Sequence, residues 1–126
     1  MMQHMVVRDT FVSVLFLLVF TLVASAQNDY YLRKAQGHQR EAEYYQNKAE
    51  GYRREAEYYL KKAERYQHEA AYYTKKGNLD SARRYANYAD DAVYKYRSKL
   101  KYASQMDEKA AMYLRKAADA LRRQQY

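Results

Sequence analysis

Tyrosine is the side chain through which this sequence could do chemistry. All 17 tyrosines fall within residues 30–126, whereas the three phenylalanines (Phe11, Phe16 and Phe20) share one N-terminal apolar run, and Trp, Pro and Cys do not occur. A core that needed only bulk would mix Phe, Leu and Ile with its Tyr. The exclusive use of the phenol points to its hydroxyl, for hydrogen bonding, surface contact or oxidative joining of rings. Other chemistries lack their residues. His38 and His68 would stand ~45 Å apart on a helix, and no His, Cys or acidic cluster has metal-ligand spacing. There is no glycine-rich phosphate loop and no nucleophile motif. The sequence therefore reads as no enzyme, with no metal or cofactor.

The elements that position these phenols are written in heptads. Between residues 30 and 76 the sequence repeats every two heptads, most clearly at 41–54 and 55–68. Ala35, Ala42, Ala49, Ala56, Ala63 and Ala70 form an unbroken a column; Tyr31, His38, Tyr45, Tyr52, Tyr59, Tyr66 and Tyr73 form the d column, with His38 standing in for a tyrosine. Sustained 3-4 spacing is the signature of a coiled-coil helix. Position g alternates Lys34, Glu41, Lys48, Glu55, Lys62, Glu69 and Lys76, a charge code suited to an interhelical flank. Glu50–Arg54, Glu57–Lys61 and Glu64–His68 place the acid one turn before the base, the favourable order on a helix.

The pattern breaks at 77–81. Gly77 suits the left-handed residue that closes a helix, and Asn78 or Asp80 can cap the next one. The spacing resumes with a column of Ala86, Val93, Leu100, Asp107, Leu114 and Leu121 beside another of Ala82, Ala89, Tyr96, Ala103, Ala110 and Ala117. A third column, Tyr85, Ala92, Met106, Tyr113 and Ala120, interrupted by Lys99, makes the face wider than one partner helix covers and predicts a homo-oligomer. The expected fold is all-α: a helix over about 29–76, a turn at 77–80 and a helix over about 80–124. Matched helices joined by so short a turn must fold back antiparallel, as an αα-hairpin with an Ala/Tyr coiled-coil seam that assembles into a bundle. Around the turn, Ala70, Tyr73, Gly77, Ala82, Ala86 and Ala89 resemble the middle of a tetratricopeptide repeat. That resemblance covers a single copy and implies an Ala-packed helix-turn-helix there, whereas the family stacks several longer units.

In this frame the candidate contact or cross-linking residues are the phenols off the seam. Tyr44, Tyr58 and Tyr72 occupy position c and recur every ~21 Å along one flank; Tyr85, Tyr88, Tyr102 and Tyr113 are their counterparts on the second helix. Asp107 interrupts an apolar column. It either loosens the seam or pins its register through a tyrosine hydroxyl, with Tyr52 the nearest candidate.

Residues 1–26 read as a secretory signal peptide: Arg8 precedes the apolar run 11–24, and Ala24-Ser25-Ala26 supplies the small-x-small pattern for cleavage between Ala26 and Gln27. The run is shorter than a bilayer span, so membrane attachment would come only through an uncleaved leader. Residues 27–126 suffice for one small domain and, lacking Cys, cannot lean on disulfides as small secreted domains usually do. The formal charge is +8, carried without a basic block. In an exported protein this favours anionic polysaccharide, a mineral surface or an acidic matrix protein over nucleic acid.

In composition, residues 27–126 resemble the Tyr- and Lys-rich secreted structural proteins of shell matrix, byssus and egg capsule, and in their heptads the Ala-rich coiled-coil silks. The resemblance implies a tyrosine-rich extracellular matrix component whose phenols are oxidised and joined to one another or to lysine. An alternative is a secreted helical interaction or surface-active module that opens its seam at a lipid interface. A third is a peptide precursor cut at Arg53-Arg54, Lys75-Lys76 or Arg83-Arg84.

Overall fold

The computed structural model describes residues 29–124; the leader-like segment, with its junction at Ala26 and Gln27, lies outside them. Two helices, α1 (Asp29–Lys75) and α2 (Leu79–Gln124), pack against each other as an all-α hairpin, with no strand among the described residues.

The turn follows from two residues. Gly77 takes φ +77°, a left-handed conformation that only glycine adopts without cost. The Asn78 N–H donates to the Tyr73 carbonyl at 3.0 Å and the Gly77 N–H to that of Thr74 at 3.1 Å, the pair of bonds that satisfies the last carbonyls of a helix. Asn78 then opens α2: its Oδ1 accepts from the Ser81 N–H at 3.2 Å and its carbonyl from the Ala82 N–H at 3.1 Å. It is the N-cap, so Asp80 falls inside the first turn, where its charge complements the helix dipole.

Contacts gather in two compact units, a turn unit of 41–112 and an end unit of 29–40 with 113–124. In the turn unit the buried residues are Ala42, Ala49, Ala56 and Ala63 of α1, and Ala82, Ala89, Ala92, Ala103 and Ala110 of α2. In the end unit Ala35, Ala117 and Ala120 form the core, with Leu121 packed against them. No large side chain is fully buried in either. The a column of α1 is thus a line of methyl groups, which lets two backbones approach closely.

The face that α2 buries differs from the expected one. Its centre is the column from Ala82 to Ala117, but the column from Tyr85 to Ala120 lies beside it under α1, with Ala92 and Ala120 buried and Tyr85, Met106 and Tyr113 half-buried. The other column is marginal: Ala86 and Leu100 are exposed, and Val93, Asp107 and Leu114 are half-buried. The reason is steric. A seam built on alanine draws its second row from the side where Ala92 and Ala120 keep the backbones close, and leaves the branched and charged residues to the edge. The third column is therefore occupied within the hairpin and is not a free face for a second copy.

This register can be tested by putting one isobutyl side chain in place of a methyl. Ala89→Leu overfills the seam and should lower stability by about 1–3 kcal/mol, whereas Ala86→Leu should stay within about 0.5 kcal/mol of the parent. Urea unfolding of the two variants reads the difference; equal losses would mean that α2 is rotated towards the Ala86 column.

Candidate functional site

The Tyr-Tyr pairs of α1 are built alike in each repeat. The first ring of each pair, at Tyr30, Tyr44, Tyr58 and Tyr72, is 63, 51, 56 and 52% exposed, while the second is half-buried at the seam edge. Within each pair the rings meet edge to face, with centroids 5.1–5.2 Å apart, the geometry favoured by the aromatic quadrupole. One turn later a lysine lies over the exposed ring: Lys48 over Tyr44 at 5.0 Å, Lys62 over Tyr58 at 5.7 Å and Lys76 over Tyr72 at 5.6 Å. Each contact contributes about 0.5–1 kcal/mol at such an exposed site. Hydrogen bonding to the Tyr44 phenol is the largest influence on Lys48 and holds its ammonium above the ordinary lysine pKa.

The d-column rings look across to α2. Tyr45 meets Lys109, Tyr52 meets Tyr102, Tyr59 meets Lys95 and Tyr66 meets Tyr88, at 5.4–5.7 Å. Every heptad up α1 is answered by one heptad down α2, and the partner alternates between lysine and tyrosine. Nearest the turn, Tyr73 stacks on Tyr85 at 5.4 Å with the planes 8° apart. In the end unit His38 packs against Tyr113 at 6.1 Å. Tyr85 and Tyr113 are consequently half-buried seam residues, not the exposed flank residues their position suggested. Tyr88 and Tyr102 keep 46 and 44% of their surface exposed.

Lys99 joins the pattern from the third column. It pairs with Glu55 at 2.8 Å and lies 5.6 and 6.0 Å from the ring centroids of Tyr52 and Tyr102. Its pKa is raised, chiefly by the Glu55 hydrogen bond, and that of Lys95 by Asp91, 3.2 Å away. Asp107 does not bond Tyr52. Its carboxylate receives the Arg53 guanidinium instead, because Tyr52 is turned under Lys99 while the longer arginine reaches across the margin. The pair is about one-third exposed, so it contributes roughly 0.2–1 kcal/mol. Of the two readings open for Asp107, a loosened seam or a pin through a tyrosine hydroxyl, the second is replaced by this link to Arg53 at the seam margin. Of the acid–base pairs along α1, Glu57–Lys61 closes at 3.5 Å.

Two clefts open beside the seam, and they occupy the same heptad positions four heptads apart. In the turn unit Tyr59, Lys62 and Tyr66 face Tyr88, Asp91, Ala92 and Lys95 around about 100 Å³. In the end unit the equivalents are Tyr31, Lys34 and His38 against Lys116, Asp119, Ala120 and Arg123, around about 340 Å³. At the intermediate position Met106 stands where these have Ala92 and Ala120. The turn-unit cleft is aromatic, and its Asp91 is taken by Lys95. The end-unit cleft is basic, for its Asp119 is taken by Arg122 from outside.

Comparison with protein-family models, curated proteins and solved structures finds no match to this chain.

The raised lysines give the hairpin an alkaline limit. Each favours the charged form when folded, so its contribution is complete below the ordinary lysine pKa and disappears as pH rises through the higher folded value. The lysine contribution to the thermal midpoint should hold up to the ordinary value of 10.5 and fall above it. Lys99→Met should fall less between neutral and alkaline pH than the parent; parallel falls would remove Lys99 from the account.

Proposed function

We propose that residues 27–126 serve as a structural component of an extracellular matrix or material. In this reading a basic helical hairpin assembles with copies of itself through its tyrosine-bearing faces, and oxidative joining of phenols fixes the assembly. The observation that carries the reading is the row of Tyr44, Tyr58 and Tyr72, half exposed and repeated every two heptads. A lone exposed phenol is ordinary, but a row of them on one helix flank gives two neighbouring copies several simultaneous contacts, and such multiplicity turns weak contacts into avidity. The leader-like residues 1–26 and the absence of Cys fit an exported chain that is strengthened by something other than disulfides.

Ring-to-ring coupling suits this row better than coupling to lysine. Attack on an oxidised ring needs a neutral amine, and a lysine with the ordinary pKa of about 10.4 is almost wholly protonated near neutral pH. Joining two phenols needs no free amine. Anionic polysaccharide, mineral or acidic matrix protein forms the second class of partner, drawn by the +8 charge and held at the end-unit cleft among Lys34, Lys116 and Arg123.

With a haem peroxidase and hydrogen peroxide, the chain should form multimers that survive denaturant. Replacing Tyr44, Tyr58 and Tyr72 together by Phe keeps size and helix propensity while removing the oxidisable group, and should slow multimer formation several-fold. Equal rates on a denaturing gel would deprive the flank of its role.

A further inference from the structure

The clefts, the basic patch and the exposed flank all belong to the reading above, but the rings that pair across the seam do not. Tyr52 and Tyr102 sit 5.5 Å apart, Tyr66 and Tyr88 5.4 Å, and Tyr73 and Tyr85 5.4 Å. Each pair joins α1 to α2 within the turn unit, so its rings are held together before any second molecule arrives. We propose that these pairs are sites of intramolecular dityrosine formation, covalent staples that close the hairpin in a chain without cysteine. The proposal shares the phenol oxidation of the preceding section but concerns different rings and a different product.

The bond balances with peroxide as oxidant. Each phenol gives up one electron and its O–H proton. The two radicals then join at the ring carbons next to the oxygens, and the two ring hydrogens displaced from those carbons move to the oxygens as aromaticity returns. One hydrogen peroxide becomes two waters for each biphenol formed, and the protein loses two hydrogens. Coupling needs a closer approach of about 1 Å, within the motion of side chains that are not tightly packed. Tyr88 and Tyr102 are 46 and 44% exposed, open to a small oxidant or to electron transfer at the surface.

Position decides which tyrosines belong to which product. Tyr59 faces Lys95 across the seam and meets the Tyr58 ring on its own helix. In the end unit His38 faces Tyr113, so that pair cannot yield a biphenol. Tyr44, Tyr58 and Tyr72 meet edge to face only the tyrosine that follows each in sequence, so a bond there would not join the helices, and their exposed surface is open to a second molecule. The alternation of Tyr88, Lys95, Tyr102 and Lys109 along α2 therefore places the Tyr66–Tyr88 and Tyr52–Tyr102 staples two heptads apart, ~21 Å along the helix, with Tyr73–Tyr85 closing the end nearest the turn.

The test oxidises the full chain at high dilution with a haem peroxidase and hydrogen peroxide, and isolates the monomer in denaturant. Trypsin releases peptides 49–53 and 102–109, which carry Tyr52 and Tyr102 as their sole tyrosines. They should be recovered joined, at their combined mass less two hydrogens, and the stapled monomer should melt roughly 10–20 °C higher. Tyr88→Phe with Tyr102→Phe keeps the rings but should abolish the Tyr66–Tyr88 and Tyr52–Tyr102 staples, leaving the Tyr73–Tyr85 staple and multimer formation through Tyr44, Tyr58 and Tyr72 unaffected. Absence of the joined peptide from oxidised monomer would overturn the proposal, as would an equal yield from chain oxidised while unfolded. Staples without multimers would instead overturn the assembly reading and leave this one standing.

Discussion

The buried a column of α1, Ala35, Ala42, Ala49, Ala56 and Ala63, is 0–1% exposed, and among the described residues no larger one reaches that degree of burial. Each position admits a methyl group and no more, because the facing surface of α2 is itself lined by alanine. Close approach of two backbones is the constraint on which the other features depend. A methyl brings only about 0.8 kcal/mol when buried, so the seam fixes geometry more than it supplies stability. Edge contacts must do the rest.

Those contacts are aromatic and cationic because of where the seam leaves room. Large side chains excluded from the centre flank it, and there a phenol can lay its ring on the partner helix while its hydroxyl meets water. An aromatic pair adds about 0.5–1.5 kcal/mol beyond its area, and a ring under a lysine a comparable amount. One heptad of alanine with one rung of this edge is a weak unit, and many rungs are needed. The strict alternation of tyrosine and lysine opposite Tyr45, Tyr52, Tyr59 and Tyr66 also distinguishes the native register from one slipped by a single heptad, which would set Tyr52 against Lys95 and Tyr59 against Tyr88.

The hairpin, the turn at Gly77 and the exposure of Tyr44, Tyr58 and Tyr72 were legible in the sequence because α1 has one small column and one aromatic column, with polar residues elsewhere. The buried face of α2 was ambiguous. Its columns through Ala82, Tyr85 and Ala86 are all largely apolar and adjoin one another on a helix, so spacing alone allows either neighbour of the Ala82 column to complete the seam. Choosing the one containing Leu100 and Leu114 placed Tyr85 and Tyr113 outside and left the Tyr85 column over for oligomerisation. Counting Tyr45, Tyr52, Tyr59 and Tyr66 against Lys109, Tyr102, Lys95 and Tyr88 would have revealed the edge pairing. The Arg53–Asp107 link lay beyond heptad reasoning, since it depends on the reach of a long side chain across the margin.

The central claim is the register in which tyrosine meets tyrosine across the seam, and ring-to-ring proton cross-relaxation in a tyrosine-labelled sample observes it without perturbing the packing. With centroids 5.4–5.5 Å apart, Tyr52 should show cross-peaks to Tyr102 and Tyr66 to Tyr88, with neither Tyr45 to Tyr102 nor Tyr59 to Tyr88. Cross-peaks for the latter two pairs in place of the former would mean that the helices are slipped by a heptad, and would contradict the account.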